Sequence, residues 1–299
     1  MIRPPKLRKG DKVAFIAPAR KVVLKELEAA IKVLEAWGLV VVFPKGLFLE
    51  EHQFAGTDND RINHIQSCIN DEDIRALFCV RGGYGTSRII DALDFTLLQT
   101  KSKWFVGFSD FTVLLGRLFN EGLESIHGPV ALLLDEDQEV KDVLYVTLFD
   151  SDAVRIVRTC SHSYNQLGKA SGKLVGGNLS VLVNQIGTSS FPELHGNILF
   201  IEDLDEYLYH IDRMIIHLDR IGAFQKISGL VVGYMSGMHD NAIKFGGDAY
   251  QIISNTVNKY NIPVAFGFPI GHEKKNIPVI VGKQMTLEVV EFEVLLTDN

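Results

Sequence analysis

Short, wholly apolar runs alternate with segments of helical period through the first half of the chain. That alternation limits the fold more than any other feature. Val13–Ala17, Val40–Phe43, Ala76–Val80 and Trp104–Gly107 are apolar at almost every position. A strand without polar alternation is covered on both faces, which is the habit of parallel sheets flanked by helices. Between these runs, Leu24–Trp37 carries Leu24, Leu27, Ile31 and Leu34 at helical spacing, and Gly38 is placed to end it. Asp58–Ile69 reads as a helix capped by Thr57, and a short helix is expected near Ser87–Leu93. Repeated strand–helix units predict an α/β fold with a parallel sheet.

The second half has another rhythm. Glu136–Phe149 reads as a helix and Val154–Val157 as a short strand. Residues 158–172 are polar and contain Gly and Ser, which predicts a linker between an N-terminal domain (1–157) and a C-terminal domain (173–299). Lys173–Val175 reads as a strand, and Gly176-Gly177-Asn178 as the start of a helix over Leu179–Ile186. Ile198–Ile201 is a strand ending in Glu202-Asp203, and Tyr207–Ile221 is a long amphipathic helix. Strands are expected at Gly229–Tyr234 and Pro263–Phe266, with a helix over Ala249–Tyr260. Thr286–Val290 and Phe292–Leu296 read as terminal antiparallel strands.

At 299 residues, with 46% hydrophobic and 22% charged residues, the chain can bury full cores in two domains. A net charge of −7 with no long basic run argues against nucleic acid as a partner. The three cysteines, Cys68, Cys79 and Cys160, make no disulfide or zinc pattern, which suits a reducing compartment. No apolar segment follows the basic start, and no run approaches the ~20 residues that span a bilayer. The expectation is a cytoplasmic protein.

Three places can carry chemistry. Ser109 lies between the Trp104 strand and an apolar-periodic run, Phe111 to Phe119. A serine on such a turn can present its hydroxyl above a sheet as a nucleophile. Phe111 stands where the second glycine of the hydrolase elbow would be, and on local sequence Ser109 reads first as a helix cap. The loop Arg81-Gly82-Gly83-Tyr84-Gly85 follows a strand, and its spacing fits no nucleotide motif. Its backbone amides suit an oxyanion hole, or the glycines serve only a tight turn. Glu202, at a strand end, can orient a histidine, and His272 sits in the loop Gly267–Glu273. His127 is a further candidate for the same site. His210 and His217 share one helix face but lack a third metal ligand. The order Ser109, Glu202, His272 supplies a nucleophile, an orienting acid and a base.

Taken together, these motifs resemble the LD-carboxypeptidases, the serine peptidases that include murein tetrapeptide carboxypeptidases and microcin C immunity peptidases. The resemblance rests on Gly10–Ala19, Arg81–Gly85, Gly107–Asp110, His127-Gly128-Pro129, Gly176–Leu179, Ile201–Asp203 and Gly271-His272. It implies a Rossmann-like N-terminal domain with nucleophile Ser109, and a C-terminal α/β domain supplying Glu202 and base His272. The active site would lie in the cleft between the domains. It further implies oxyanion donors at the amides of Gly83 and Asp110, beside Gly82. The bond cleaved would join an L-centre to terminal D-alanine, with a homodimer as the acting form. The substrate's free carboxylate needs a cationic or N–H-rich partner. Arg81 is the first candidate and the start of the helix at Asn178 the second. The immunity branch would cleave a peptidyl-nucleotide and needs an aromatic ring to stack on a base, for which Tyr164 is the candidate. A non-catalytic two-domain binding protein is the rival from another class.

Overall fold

The computed structural model describes residues 1–150 and 155–298. In chain order the strands and helices are β1 (Lys12–Ile16), α1 (Leu24–Ala36), β2 (Val40–Val42), α2 (Asp58–Asn70), β3 (Ile74–Cys79), β4 (Trp104–Gly107), α3 (Thr112–Asn120), β5 (Ser125–His127) and α4 (Gln138–Phe149). There follow β6 (Ile156–Cys160), β7 (Gly168–Asn178), α5 (Leu179–Asn184), β8 (Ile198–Leu204), α6 (Leu208–Arg220), α7 (Ala223–Lys226), β9 (Gly229–Ser236), α8 (Ala249–Val257), β10 (Val264–Ala265), β11 (Val279–Val281), β12 (Gln284–Val289) and β13 (Glu293–Asp298).

Two compact units form. The first takes Met1–Ala153 together with Thr188–Phe191 and Ile277–Gly282. Its sheet runs β11-β5-β4-β3-β1-β2. All neighbours from β2 to β5 are parallel, and only β11 is antiparallel, on β5. The runs in β1, β3 and β4 are buried as their pattern demands, with Val13, Phe15, Ala76, Phe78, Trp104 and Val106 all in the core. The Val40–Phe43 run is not: β2 is the edge strand, and Val40 and Phe43 are exposed. The order 2-1-3-4-5 reverses between β1 and β3. That is the switch point at whose carboxyl side open α/β sheets bind ligands. Thr57 caps α2 as expected, accepting from the Asp60 amide. The helix expected near Ser87–Leu93 is two 3-10 turns, Thr86–Arg88 and Ile90–Ala92.

The second unit takes Val154–Gly187, Pro192–Asn276 and Lys283–Asn299. Its sheet runs β10-β9-β8-β7-β12-β13-β6. The strands from β10 to β7 are parallel and those from β7 to β6 antiparallel. The terminal antiparallel pair expected from the sequence is β12 with β13.

Two readings need correction. Residues 158–172 are not one irregular linker. Ile156–Cys160 pairs with β13, and Gly168–Lys173 pairs with β12. Ile156–Cys160 alternates between exposed and half-exposed positions, and Gly168–Lys173 is exposed or half-exposed except at Gly172, so their strand character comes from the hydrogen-bonded ladder and not from an apolar run. Val154, the first residue of the strand read at Val154–Val157, lies outside the described residues. Gly176 and Gly177 also belong to strand β7, and the helix start is Asn178 alone.

Candidate active site

In the first unit, the turn after β4 is built around Ser109. Its backbone is left-handed at φ +66°, a region that L-residues other than glycine rarely occupy. A serine cap would have an extended backbone and accept from an amide of the helix. Ser109 has neither property: α3 shows no side-chain cap, and the residue before the 3-10 turn Ser109–Phe111 is Phe108. The cap reading of Ser109 is therefore set aside. Ser109 is half-buried, and strained backbone of this kind clusters at functional sites.

The glycine loop lies against this turn. A Cβ placed on Gly82 would stand 2.8 Å from Ser109 Oγ, so the loop backbone passes directly over the hydroxyl. Asp110 is buried, and its Oδ2 accepts from the Thr86 amide at 2.9 Å and the Thr86 hydroxyl at 2.6 Å. Burial raises the Asp110 carboxyl above its usual range, while the Thr86 bonds and Arg61 pull it back. These bonds tie the serine turn to the end of the glycine loop. Thr86 was not singled out in the sequence, because its role depends on a partner more than twenty residues away. The Asp110 amide falls in the first turn of its helix, where amides have no intrahelical acceptor.

Arg81 points elsewhere. Its guanidinium meets Glu26 Oε1 at 3.6 Å and the Lys21 carbonyl at 3.5 Å, a brace between the loop and α1. His127 lies in β5, wholly buried, with its ring 5.8 Å from that of Phe108, and so lines no open site.

In the second unit, Glu202 sits inside β8 and not at its end, with no exposure. The β8–β9 register shifts between Ile201 and Asp203, and the local irregularity brings two successive carboxylates into the interior. Glu202 Oε2 lies 2.7 Å from His272 Nδ1, while Oε1 is buried without a hydrogen-bond partner. The loop bearing His272 is held by the Tyr234 amide donating to Ile270 O, and by the Gly271 amide donating to Asn276 Oδ1. A Cβ on Gly271 would fall 2.9 Å from Glu202 Oε2, so this glycine lets the loop close on the carboxylate.

Asp203 is pushed up to about 7, first by burial and then by the charge of Glu202. It accepts from Asn178 Nδ2 and from the amides of Ser180 and Leu204. Asn178 Oδ1 in turn caps α5 through the Val181 amide. The anion position at this helix start is thus filled by Asp203, and the reading of Asn178 as a substrate partner is corrected. His210 pairs with Glu206 at 2.7 Å, and His217 lies on the α6 surface. Among the described residues no cluster of His, Cys, Asp and Glu is arranged to hold a metal. Tyr164, the stacking candidate, packs its ring 6.0 Å from that of Phe266.

The structure therefore brings together Ser109 with Gly82, Asp110 with Thr86, and Glu202 with His272. Family models of the LD-carboxypeptidase N-terminal and C-terminal domains match residues 13–128 and 171–287. The chain belongs to the LD-carboxypeptidase family. It is a serine-type carboxypeptidase, a hydrolase. It is 33% identical over 294 residues to a probable murein peptide carboxypeptidase of Bacillus subtilis, covering 97% of this chain and 92% of that one. The solved muramoyltetrapeptide carboxypeptidase from Oxalobacter formigenes matches with a TM-score of 0.87 at 31% identity, covering 96% of this chain and 98% of that one. The microcin immunity protein MccF, solved with glutamyl sulfamoyl guanosine, shares the fold with a TM-score of 0.88 at 19% identity, over 99% and 98% of the two chains. Among the described residues no helix is long and apolar enough to cross a membrane.

Proposed function

We propose that this LD-carboxypeptidase releases terminal D-alanine from murein tetrapeptides, with Ser109 as nucleophile, His272 as general base and Glu202 as the acid that orients it. The observation that carries the reading is the Glu202–His272 pair, a wholly buried carboxylate 2.7 Å from Nδ1. Donation from Nδ1–H to Glu202 leaves Nε2 as the basic nitrogen. Nε2 takes the Ser109 proton as Oγ attacks the scissile carbonyl carbon, and the carbonyl electron pair moves to oxygen. The amides of Gly83 and Asp110 donate to that oxyanion. Collapse breaks the C–N bond, and the imidazolium gives its proton to the departing amine of D-alanine. Water, deprotonated by Nε2, then hydrolyses the acyl-serine and restores the hydroxyl. No metal or other cofactor is needed for any step.

The murein substrate is supported by the names of two relatives above 30% identity. We extend the reading to peptidoglycan recycling in the cytoplasm by a homodimer, which sedimentation of the purified protein checks. A second reading, cleavage of a peptidyl-nucleotide, draws on Tyr207 and Tyr209. Both rings are exposed, 5.8 Å apart, just beyond the strand that carries Glu202.

Purified protein is incubated with murein tetrapeptide and, separately, with a peptidyl-nucleotide, and products are read by mass spectrometry beside Ser109→Ala. Tripeptide formed by the wild type alone supports the first reading. Cleavage of the nucleotide conjugate alone moves the assignment to the second, and turnover by folded Ser109→Ala removes the nucleophile.

A further inference from the structure

A carboxypeptidase has to recognise a free carboxylate at its substrate's end. Five cations gather where the chain leaves β1 and β3, on the two sides of the switch point in the first unit's sheet. Four are committed. Lys21 pairs with Glu50 at 2.7 Å. Arg61 is buried, donating to Pro18 O and Gly85 O and pairing with Asp58. Arg88 holds the other oxygen of Asp58 at 2.7 Å. Arg81 is drawn to Glu26. The fifth, Arg20, is exposed, and its guanidinium has no hydrogen bond or ion pair among the described residues.

Arg20 is nevertheless held in place. The Ala55 amide donates to Ala19 O and the Lys21 amide to Gln53 O, which fixes the backbone on both sides of it. Its stem lies flat across Gly83, where a Cβ would stand 2.7 Å from Cγ and Cδ and 2.8 Å from Nε. The next residue back, Gly82, lies over Ser109 Oγ. The guanidinium therefore begins against Gly83, which follows the residue lying over the hydroxyl and whose amide is assigned to the oxyanion. In a peptide ending in D-alanine, the terminal carboxyl carbon is about 3–4 Å beyond the scissile carbonyl carbon. An oxyanion bound at the Gly83 amide puts that carboxylate within reach of a guanidinium resting on Gly83. Arginine's planar fork suits a carboxylate better than any other cation.

We propose that Arg20 binds the free terminal carboxylate of the substrate and makes the enzyme an exopeptidase. This rests on the murein-peptide reading above and replaces Arg81 in the role first expected of it. Arg20 is a specificity residue, since it touches substrate away from the reacting atoms.

The experiment compares murein tetrapeptide with the same peptide ending in D-alanine amide, using wild type, Arg20→Met and Arg20→Lys. Methionine keeps the apolar stem over Gly83 and removes the charge. A hydrogen bond to a charged group is worth about 1.5–3 kcal/mol, so kcat/KM on the free acid should fall roughly 10- to 150-fold in Arg20→Met, chiefly through KM. The acid-to-amide preference should collapse with it. Arg20→Lys should recover part of both. An Arg20→Met enzyme that keeps the wild-type preference overturns the proposal and leaves the murein reading standing. A wild type that cleaves neither peptide fails the murein reading, and the proposal falls with it.

Discussion

Ser109 keeps a side chain at a backbone angle that favours glycine, at a cost of about 1–2 kcal/mol. Ser109→Gly should therefore melt at or above Ser109→Ala, the reverse of their order at an ordinary position, while both lose turnover. Thermal denaturation of the two variants reads this directly, and a glycine variant melting several degrees lower would mean the strain is absent. Asp203 gives a pH signature. Its folded pKa of about 7 lies above the ordinary carboxylate value, so the native state holds a proton that the unfolded chain has lost. The cost of burying its charge is absent below about pH 4 and fully present above about pH 7. Stability should fall across that window, by on the order of 4 kcal/mol. Denaturant titrations from pH 4 to 8 should show this fall in the wild type and a flatter profile in Asp203→Asn; parallel profiles would contradict it. At this scale the sequence was only partly legible. Ser109 was visible as a strand–helix junction, but a serine there reads first as a cap, and its φ together with the missing cap hydrogen bond separates the two. Arg20 was not picked out, because an unpartnered arginine looks like any other until its neighbours are seen to be paired.

Among the elements, β7 shows where strand reading succeeds and fails. Its buried end, Leu174–Val175, was legible as an apolar pair. Its outer part, Gly168–Lys173, was not, since Lys169 and Ser171 are exposed and Lys173 only half-buried. The length of β8 was also underestimated, because Glu202 and Asp203 end the apolar run while the ladder continues to Leu204. Gly176 makes a sharp test of the β7–β8 pair. A Cβ there would lie 1.8 Å from the Phe200 carbonyl oxygen, too close for any side-chain shift to relieve. Gly176→Ala should destabilise the protein by about 4 kcal/mol or more, among the largest effects of a single methyl. A melting temperature within a few degrees of wild type would contradict the packing described.

On the scale of the whole molecule, the sequence reads as two successive halves, and nothing in it reveals that the chain crosses back to the first unit. Thr188–Phe191 and Ile277–Gly282 return to the first unit from within the second half of the chain. Asn120 donates to the carbonyls of Ser189 and Phe191, and β11 pairs with β5. Neither segment announces its destination by composition, since Val279–Val281 would suit any sheet. A fragment of residues 1–157 lacks both and leaves the β5 edge unpaired, which invites association. It should elute as aggregates in size-exclusion chromatography, whereas the full chain should not. A monodisperse fragment with a cooperative melt would show that the late segments are dispensable.

The position of β11 also sets a timetable for synthesis. A ribosome must polymerise the stretch from β5 to β11, most of the second unit, before Val279–Val281 emerge to close the sheet that holds Ser109. At about 5–20 residues per second, the nascent chain carries that open edge for on the order of tens of seconds. The sheet that carries Ser109 is thus completed long after its other five strands are made, and a chain that stops before Val279 leaves it with an open edge.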